Sequence, residues 1–263
     1  MQNTFLEMFD TGAATHVGKV RQRNEDYYLT RPEAGIWAVA DGMGGHDAGD
    51  VASQTVIAAL RSIEPPTSAA SLLSHCEDSV ARANARLQEI SRERGGTVIG
   101  ATLAVLLAFE GHYACLWSGD SRIYMVRAGK IVQLSRDHTE VQELVTEGVI
   151  TAEEAKTWPG SNVITRAIGV YDEPELEIIS GSLQAGDLFV ICSDGLTHHV
   201  NDGEILSFVS ANMSQQACDN LVELALERGG NDNVTVIVAR YQSGAAASAS
   251  GGTALADPPL ELN

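Results

Sequence analysis

The chain has 263 residues and a formal net charge of −18 at pH 7. This length suits one large domain or two small ones, with a substantial buried core. The acidic balance argues against a nucleic-acid partner, because phosphate backbones would be repelled at long range. No apolar stretch has the length of a membrane helix, and residues 1–10 do not resemble a signal peptide. We therefore expect a cytoplasmic protein with no membrane association.

Short apolar segments rich in β-branched residues predict strands. In chain order these segments are 36–40, 102–109, 112–117, 123–126, 131–134, 188–192 and 234–239. Glu110-Gly111 predicts a hairpin turn, and Ala128-Gly129-Lys130 predicts a second one. Tight turns between neighbouring strands indicate antiparallel pairing.

Segments with apolar residues at helical spacing predict helices over 51–63, 71–92 and 216–228. Thr139 to Gln142 and Thr151 to Glu154 each match a capping box, so a short helix should begin at both places. Strands cluster and helices cluster instead of alternating. This favours an α+β layered domain over a doubly wound parallel sheet.

The composition changes to Ser, Gly and Ala from residue 243 to residue 253. Such a segment cannot bury enough apolar area to fold. We therefore expect one domain over residues 1–241, followed by a disordered tail over residues 242–263.

Acidic residues beside glycine follow three of the predicted strands, at Asp41-Gly42, Gly119-Asp120 and Asp194-Gly195, and Asp232-Asn233 precedes a fourth. Strands hold their end residues rigidly, so these carboxylates can meet in one place. Converging anions repel each other unless a cation joins them. Mg²⁺ and Mn²⁺ accept such oxygen ligands. A single Asp-Gly pair is most often only a turn, but four such places beside strands predict a metal centre.

A mixed charged run extends from Arg21 to Asp26. Such a run is usually a solvated loop. Next to an anionic metal cluster, however, Arg21 would be a good bidentate clamp for a phosphate group.

The order of these motifs resembles that of the type 2C, metal-dependent protein serine/threonine phosphatases, and of their bacterial members in particular. The resemblance covers about residues 12 to 240, and each motif is weak alone whereas the ordered set is specific. The matching segments are 18–26, 39–46, 100–102, 119–122, 193–196 and 232–235. The resemblance implies a four-layer α/β/β/α sandwich, in which pairs of antiparallel helices flank two antiparallel sheets.

The resemblance also implies a set of metal ligands. Asp41 would bridge two ions, and the backbone carbonyl of Gly42 would bind the second of them. Asp194 and Asp232 would complete the coordination of the first ion. Asp120, together with Asp194, would hold a third ion. We therefore expect two to three Mn²⁺ or Mg²⁺ ions.

The implied reaction is hydrolysis of phosphoserine and phosphothreonine on proteins. Arg21 would bind the substrate phosphate, and Glu25 and Asp26 would order metal-bound waters. A water between two cations would attack phosphorus in line, because the ions lower its pKa. The expected partners are phosphorylated proteins, including a bacterial serine/threonine kinase and its targets. A role in a partner-switching system is an alternative, and we expect a monomer.

The segment 136–169 resembles the flap of this family, which would lie over the metal site and affect substrate choice. Trp158 stands before Pro159, where relatives often have His. Eukaryotic relatives have a candidate general acid where this chain has Met43. His46 could protonate the leaving group or merely shape the loop, and metal-bound water could supply that proton instead.

Two other interpretations are an inactive member of the fold that serves as a binding module, and an unrelated metal-binding protein. Inactive members typically lose metal aspartates, whereas all the metal positions are filled here. Arg21 and the ordered motifs argue against the second interpretation.

Overall fold

A computed structural model describes residues 9–44, 48–155, 157–160 and 163–242. Within these residues the chain forms eleven strands and seven α-helices. The strands are β1 Phe9–His16, β2 Asp26–Arg31, β3 Ile36–Gly44, β4 Ile99–Ala101, β5 Leu103–Phe109, β6 His112–Ser118, β7 Arg122–Arg127, β8 Lys130–Gln133, β9 Glu177–Ser182, β10 Leu188–Cys192 and β11 Val234–Tyr241. The helices are α1 Gly49–Arg61, α2 Ala69–Glu93, α3 Glu140–Thr146, α4 Ala152–Ala155, α5 Asp194–Thr197, α6 Asp202–Ala211 and α7 Ser214–Glu227.

The strands form two antiparallel sheets. The first has the order β1-β11-β10-β7-β8, and the second has the order β2-β3-β5-β6-β9, with β4 also paired to β3. Side chains such as Trp37, Phe189 and Ile237 fill the space between the sheets. Helices α1 and α2 cover the outer face of the second sheet, and α6 and α7 cover that of the first. The four-layer α+β sandwich is therefore confirmed.

The core consists largely of aliphatic side chains that alternate between the two faces of each strand. In β3, Trp37 and Val39 face the other sheet, whereas Ile36 and Ala38 face the helices. Both sets are fully buried, which explains why the central strands are continuous apolar segments. Among the described helices, none combines the length and the apolar character needed to span a bilayer.

Both predicted hairpin turns are present, and both have the positive φ angles that suit the twist of a two-residue hairpin. Glu110 and Gly111 have φ values of 43° and 80°, and Ala128 and Gly129 have values of 50° and 75°. The predicted strand over 102–109 begins one residue later, at Leu103, and the short strand β4 precedes it. Thr102 stands between β4 and β5, where its amide and hydroxyl bond to Asp41 of β3, as described below.

Both predicted helix starts are also present. Thr139 accepts a hydrogen bond from the Gln142 amide (3.3 Å) and caps α3. Thr151 and Glu154 form the complete reciprocal capping box, with the Thr151 amide donating to Glu154 Oε2 (2.8 Å) and the Glu154 amide donating to Thr151 Oγ1 (3.2 Å). The expected tail lies outside the described residues, except for Gln242.

Candidate metal centre

Two neighbouring strands place Asp26 beside Asp41. The two residues are direct partners in the antiparallel register of β2 and β3. Thr102 holds Asp41 from the other side, since its amide donates to the Asp41 carbonyl oxygen (2.8 Å) and its hydroxyl accepts from the Asp41 amide (3.1 Å). The hydroxyl oxygens of Thr102 and Ser121 are 2.8 Å apart. Ser121, which follows Asp120, therefore contacts the same threonine that holds Asp41.

The other sheet supplies Asp194 and Asp232. Asp194 begins α5 after β10, and Asp232 comes just before β11. These segments are in close contact, since a Cβ atom on Gly195 would lie 1.9 Å from the carbonyl oxygen of Asn233. Only glycine lets the two backbones approach so closely. The Asp-Gly pair at this place therefore brings two acidic residues together.

Neutral polar side chains join the two sheets at the cluster. The Ser193 hydroxyl donates to Oδ2 of Asp26 (2.7 Å) and accepts from the Thr235 amide (3.0 Å). Asn233 makes a second link, because its Oδ1 accepts from the Glu25 amide (2.8 Å). The sequence interpretation gave no role to Ser193 or Asn233, and the only available signal was that both stand inside the ordered motifs.

Gly42 packs against the start of α1. A Cβ atom on Gly42 would lie 1.8 Å from the Gly49 carbonyl oxygen, so glycine is required there as well. The Gly42 amide donates to the Glu25 carbonyl oxygen (3.0 Å). Burial raises the pKa of Glu25, although its carboxylate accepts a hydrogen bond from the Gly49 amide. That amide belongs to the first turn of α1, where a helix favours negative charge.

The clustered carboxylates influence each other's ionisation. Burial raises the pKa of Asp41 well above its usual value, and neighbouring carboxylates raise it further. These neighbours are Asp26, Asp194, Asp120 and Asp232. Burial raises the pKa of Asp120 to about 8, with the charge of Asp194 adding to the effect, and burial raises that of Asp26 to about 7. These mutual effects agree with the backbone and side-chain contacts that bring the acidic residues to one location.

Several carboxylate oxygens in this cluster suit a cation. Among the described residues, Oδ1 of Asp26, Oδ1 of Asp120 and Oδ1 of Asp194 are buried and have no hydrogen-bond partner. Buried polar atoms are nearly always paired, and a divalent cation would satisfy these oxygens while removing the repulsion between them. The residues present therefore fit Mg²⁺ or Mn²⁺.

The carboxylates of the described residues do not converge on one ion position. No group of three or more His, Cys, Asp or Glu side chains in the described part of the chain is placed to hold one. Two of these carboxylates have basic side chains as neighbours. Arg21 Nη2 is 2.7 Å from Oδ2 of Asp232, and His198 Nδ1 is 3.5 Å from Oδ2 of Asp194. The predicted phosphate clamp thus lies on a predicted metal ligand.

A cleft of about 310 Å³ lies beside the cluster. Asp120 and Asp194 line one side, and the predicted flap over 136–169 contributes Gln142 of α3 and residues of α4 to the other. Trp158 is 41% exposed. His46, the candidate proton donor, lies outside the described residues.

Comparisons with known proteins agree with this arrangement. The sequence model of the family described as Protein phosphatase 2C matches residues 15–228. The serine/threonine protein phosphatase PstP of Mycobacterium tuberculosis is 40% identical over 224 residues, which are 84% of this chain and 43% of PstP. The protein phosphatase PhpP of Streptococcus pneumoniae is 32% identical over 232 residues, which are 84% of this chain and 93% of PhpP. This chain thus spans less than half the length of PstP.

Solved structures show the same architecture. The catalytic domain of PstP in complex with two manganese ions has a TM-score of 0.82 and 37% identity, over 90% of this chain and 99% of that domain. PppA, described as a key regulatory component of T6SS in Pseudomonas aeruginosa, has a TM-score of 0.83 and 39% identity, over 89% of this chain and 98% of PppA.

The α/β/β/α sandwich is therefore the fold of a known class of proteins, since the matched relatives and structures are serine/threonine protein phosphatases. Within that class, the chain belongs to the protein phosphatase 2C family. The resemblance stated from the motifs is confirmed.

Proposed function

We propose that this protein is a metal-dependent phosphatase that hydrolyses phosphoserine and phosphothreonine on other proteins. The observation that carries the proposal is the meeting of aspartates from both sheets, with buried oxygens that fit a cation. Membership of the family supports the reaction class, and the manganese complex of PstP supports the choice of metal.

The proposed ligands follow from the family resemblance and are supported by the cluster. Asp41, which is buried among the charges of four other aspartates, would bridge two ions, and the Gly42 carbonyl would be the neighbouring ligand. Asp194 and Asp232 would complete the coordination of the first ion. Asp120 and Asp194, which line the cleft together, would hold a third. When bound, the ions supply a water of lowered pKa as nucleophile.

Other residues prepare the site for the substrate. The carboxylates of Asp26 and Glu25 would orient water molecules beside the ions. Arg21 is half exposed and reaches Asp232. One carboxylate oxygen cannot serve both a guanidinium and a cation well, so Arg21 would be available for the phosphate when Asp232 holds an ion. A planar guanidinium suits two phosphate oxygens at once.

The substrates follow from the family and not from a feature of the cleft. Phosphorylated proteins are the proposed partners, and the phosphatase would reverse a bacterial serine/threonine kinase acting on its targets. A partner-switching pathway is the alternative. Comparing the phosphoproteomes of cells with and without an active copy would separate the two, because only the first predicts phosphosites shared with a kinase deletion strain.

Metal dependence is the first test. Activity on a phosphothreonine peptide should vanish with chelator and return with Mn²⁺ or Mg²⁺. Asp41→Asn should lower turnover by several orders of magnitude, because it weakens two ions at once. Asp78→Asn is the matched control, since Asp78 is an exposed carboxylate on α2. Normal turnover in excess chelator would refute the proposal, and tight Mn²⁺ binding without any turnover would favour an inactive binding module.

A further inference from the structure

His138 lies where the flap joins the loop that carries Asp120. Its side chain is only 4% exposed. The Gly119 amide donates to Nδ1 of His138 (3.1 Å), and the His138 amide donates to the Gly119 carbonyl oxygen (3.0 Å). These two bonds hold both peptide groups of Gly119, and the second of them leads directly into Asp120.

The imidazole of His138 is itself held in place. It stacks on Trp117, with ring centroids 6.2 Å apart and an interplanar angle of 21°. The Trp117 indole donates to the Arg136 carbonyl oxygen (2.8 Å). Since Nδ1 accepts a hydrogen bond, the proton of the neutral ring is on Nε2, which lies 3.2 Å from Oε1 of Glu177. The stacking on Trp117 and the bond from Gly119 therefore set the direction of Nδ1, whereas Nε2 has Glu177 as a neighbour but no hydrogen-bond partner among the described residues.

The other side of Gly119 is closed by Thr102. Gly119 has a φ of 104°, and a Cβ atom there would lie 2.7 Å from Cβ of Thr102. Thr102 also holds Asp41 and contacts Ser121. Before Asp120, His138 holds the Gly119 backbone and Thr102 packs closely against it; after Asp120, the Thr102 hydroxyl contacts the Ser121 side chain.

We propose that His138 is a positioning residue for Asp120, which sets the cation affinity of the Asp120–Asp194 site and joins that site to the flap. Oδ1 of Asp120 has no hydrogen-bond partner among the described residues. The direction of that carboxylate therefore depends on the backbone of Gly119, whose amide donates to Nδ1 of His138 and whose carbonyl oxygen accepts from the His138 amide. The inference rests on the proposed metal-dependent function.

Three substitutions separate positioning from simple packing. His138→Asn keeps an acceptor close to the place of Nδ1, whereas His138→Gln puts its polar group nearer to the place of Nε2, and His138→Ala removes both. Mn²⁺ binding should be followed by calorimetry and by electron paramagnetic resonance. Partners of this kind typically contribute 10- to 100-fold to metal affinity. We expect a loss of about that size in the weakest Mn²⁺ site for Ala and Gln, and recovery of most of it for Asn.

A second readout uses the metal-free protein. Amide hydrogen exchange of a peptide that contains Gly119 should be faster in His138→Ala and His138→Gln, and near the wild-type rate in His138→Asn. His75→Ala is the control, since it removes an exposed histidine from α2 and should change neither measurement. Circular dichroism establishes that each variant is folded.

The outcomes distinguish this inference from the proposed function. Asp120→Ala should lose one Mn²⁺ and keep the others. If Asp120→Ala behaves so but all three His138 variants bind like the wild type, the positioning role is wrong and the function stands. Equal losses in all three variants would also refute it, since the Nδ1 acceptor would then be irrelevant. If the wild type binds no Mn²⁺, the proposed function itself fails.

Discussion

The far end of the flap segment depends on one buried amide side chain, that of Asn84 in α2. Asn84 is 1% exposed. Its Oδ1 accepts from the Gly169 amide (2.6 Å), and its Nδ2 donates to the carbonyl oxygens of Tyr171 (2.9 Å) and Asp172 (3.2 Å). We predict that Asn84→Ala lowers the free energy of unfolding substantially and loosens this end of the flap.

The magnitude follows from the three lost bonds. Each contributes about 1 kcal/mol net, so Asn84→Ala should cost about 3 kcal/mol. The loop cannot easily find new partners, because Gly169 has a φ of 97° and a Cβ atom there would lie 2.7 Å from the Ile99 carbonyl oxygen. Asn84→Asp should cost at least as much at neutral pH, since a carboxylate would face two carbonyl oxygens.

Urea unfolding followed by fluorescence and circular dichroism measures this effect, provided that the dependence on urea keeps the same slope. Gln88→Ala is the matched control. Gln88 lies one turn later, is partly exposed, and also donates to the Tyr171 carbonyl oxygen, so its loss should cost less than about 1 kcal/mol. If Asn84→Ala and Gln88→Ala destabilise the protein equally, the assigned role of Asn84 is wrong.

Two further predictions concern the tail and the pH dependence of stability. Removal of residues 243–263, which have the composition of a linker, should leave the melting temperature and the rate on an aryl phosphate nearly unchanged; a fall of several degrees would show that the tail docks on the domain. The hydrogen bond from Arg228 lowers the pKa of Glu204 to about 2, from an ordinary value of 4.5. Because the folded-state pKa is depressed, this stabilisation is present above pH 4.5 and is lost as the pH falls towards 2. The melting temperatures of the wild type and Glu204→Gln should therefore differ at pH 7 and converge near the acid limit, and a constant difference would contradict the prediction.

The central strands and the acidic residues were predictable from the sequence. Segments such as β10 and β11 are buried on both faces, so they are continuous apolar runs that end beside Asp194 or begin beside Asp232. The family resemblance carried by the ordered motifs then implied the fold and the roles of the site residues. The placement of these acids in one cluster agrees with that interpretation, whereas the role of each remains a proposal.

Three of the edge strands, β1, β2 and β9, could not be predicted in the same way. β1 and β2 lie at sheet edges, where only two residues of each strand are buried and no continuous apolar run is required. β9, also at an edge, alternates between partly buried and exposed residues. α6 was likewise missed, although its Asn201 and Glu204 form a complete capping box.

The neutral polar residues of the site were beyond sequence reasoning for another reason. Thr102, Ser193 and Asn233 act by bridging segments that are far apart in the chain. The bond from Ser193 to Asp26 spans 167 positions, and the bond from the Glu25 amide to Asn233 spans 208 positions. A local pattern carries no information about such a partner. Arg21 shows the same limit, since no pattern predicts its ion pair with Asp232.

The location of the acids between the two sheets links metal binding to the stability of the fold. Asp26 and Asp41 come from one sheet, and Asp194 and Asp232 come from the segments beside strands of the other. Their mutual repulsion opposes the packing of the sheets, and a cation that binds only the folded state reverses that effect. At a free concentration 100 times the dissociation constant, one such ion stabilises the fold by about 2.7 kcal/mol. Because Ser193 and Asn233 carry the links between the sheets at this point, substitutions there should weaken metal binding and fold stability together.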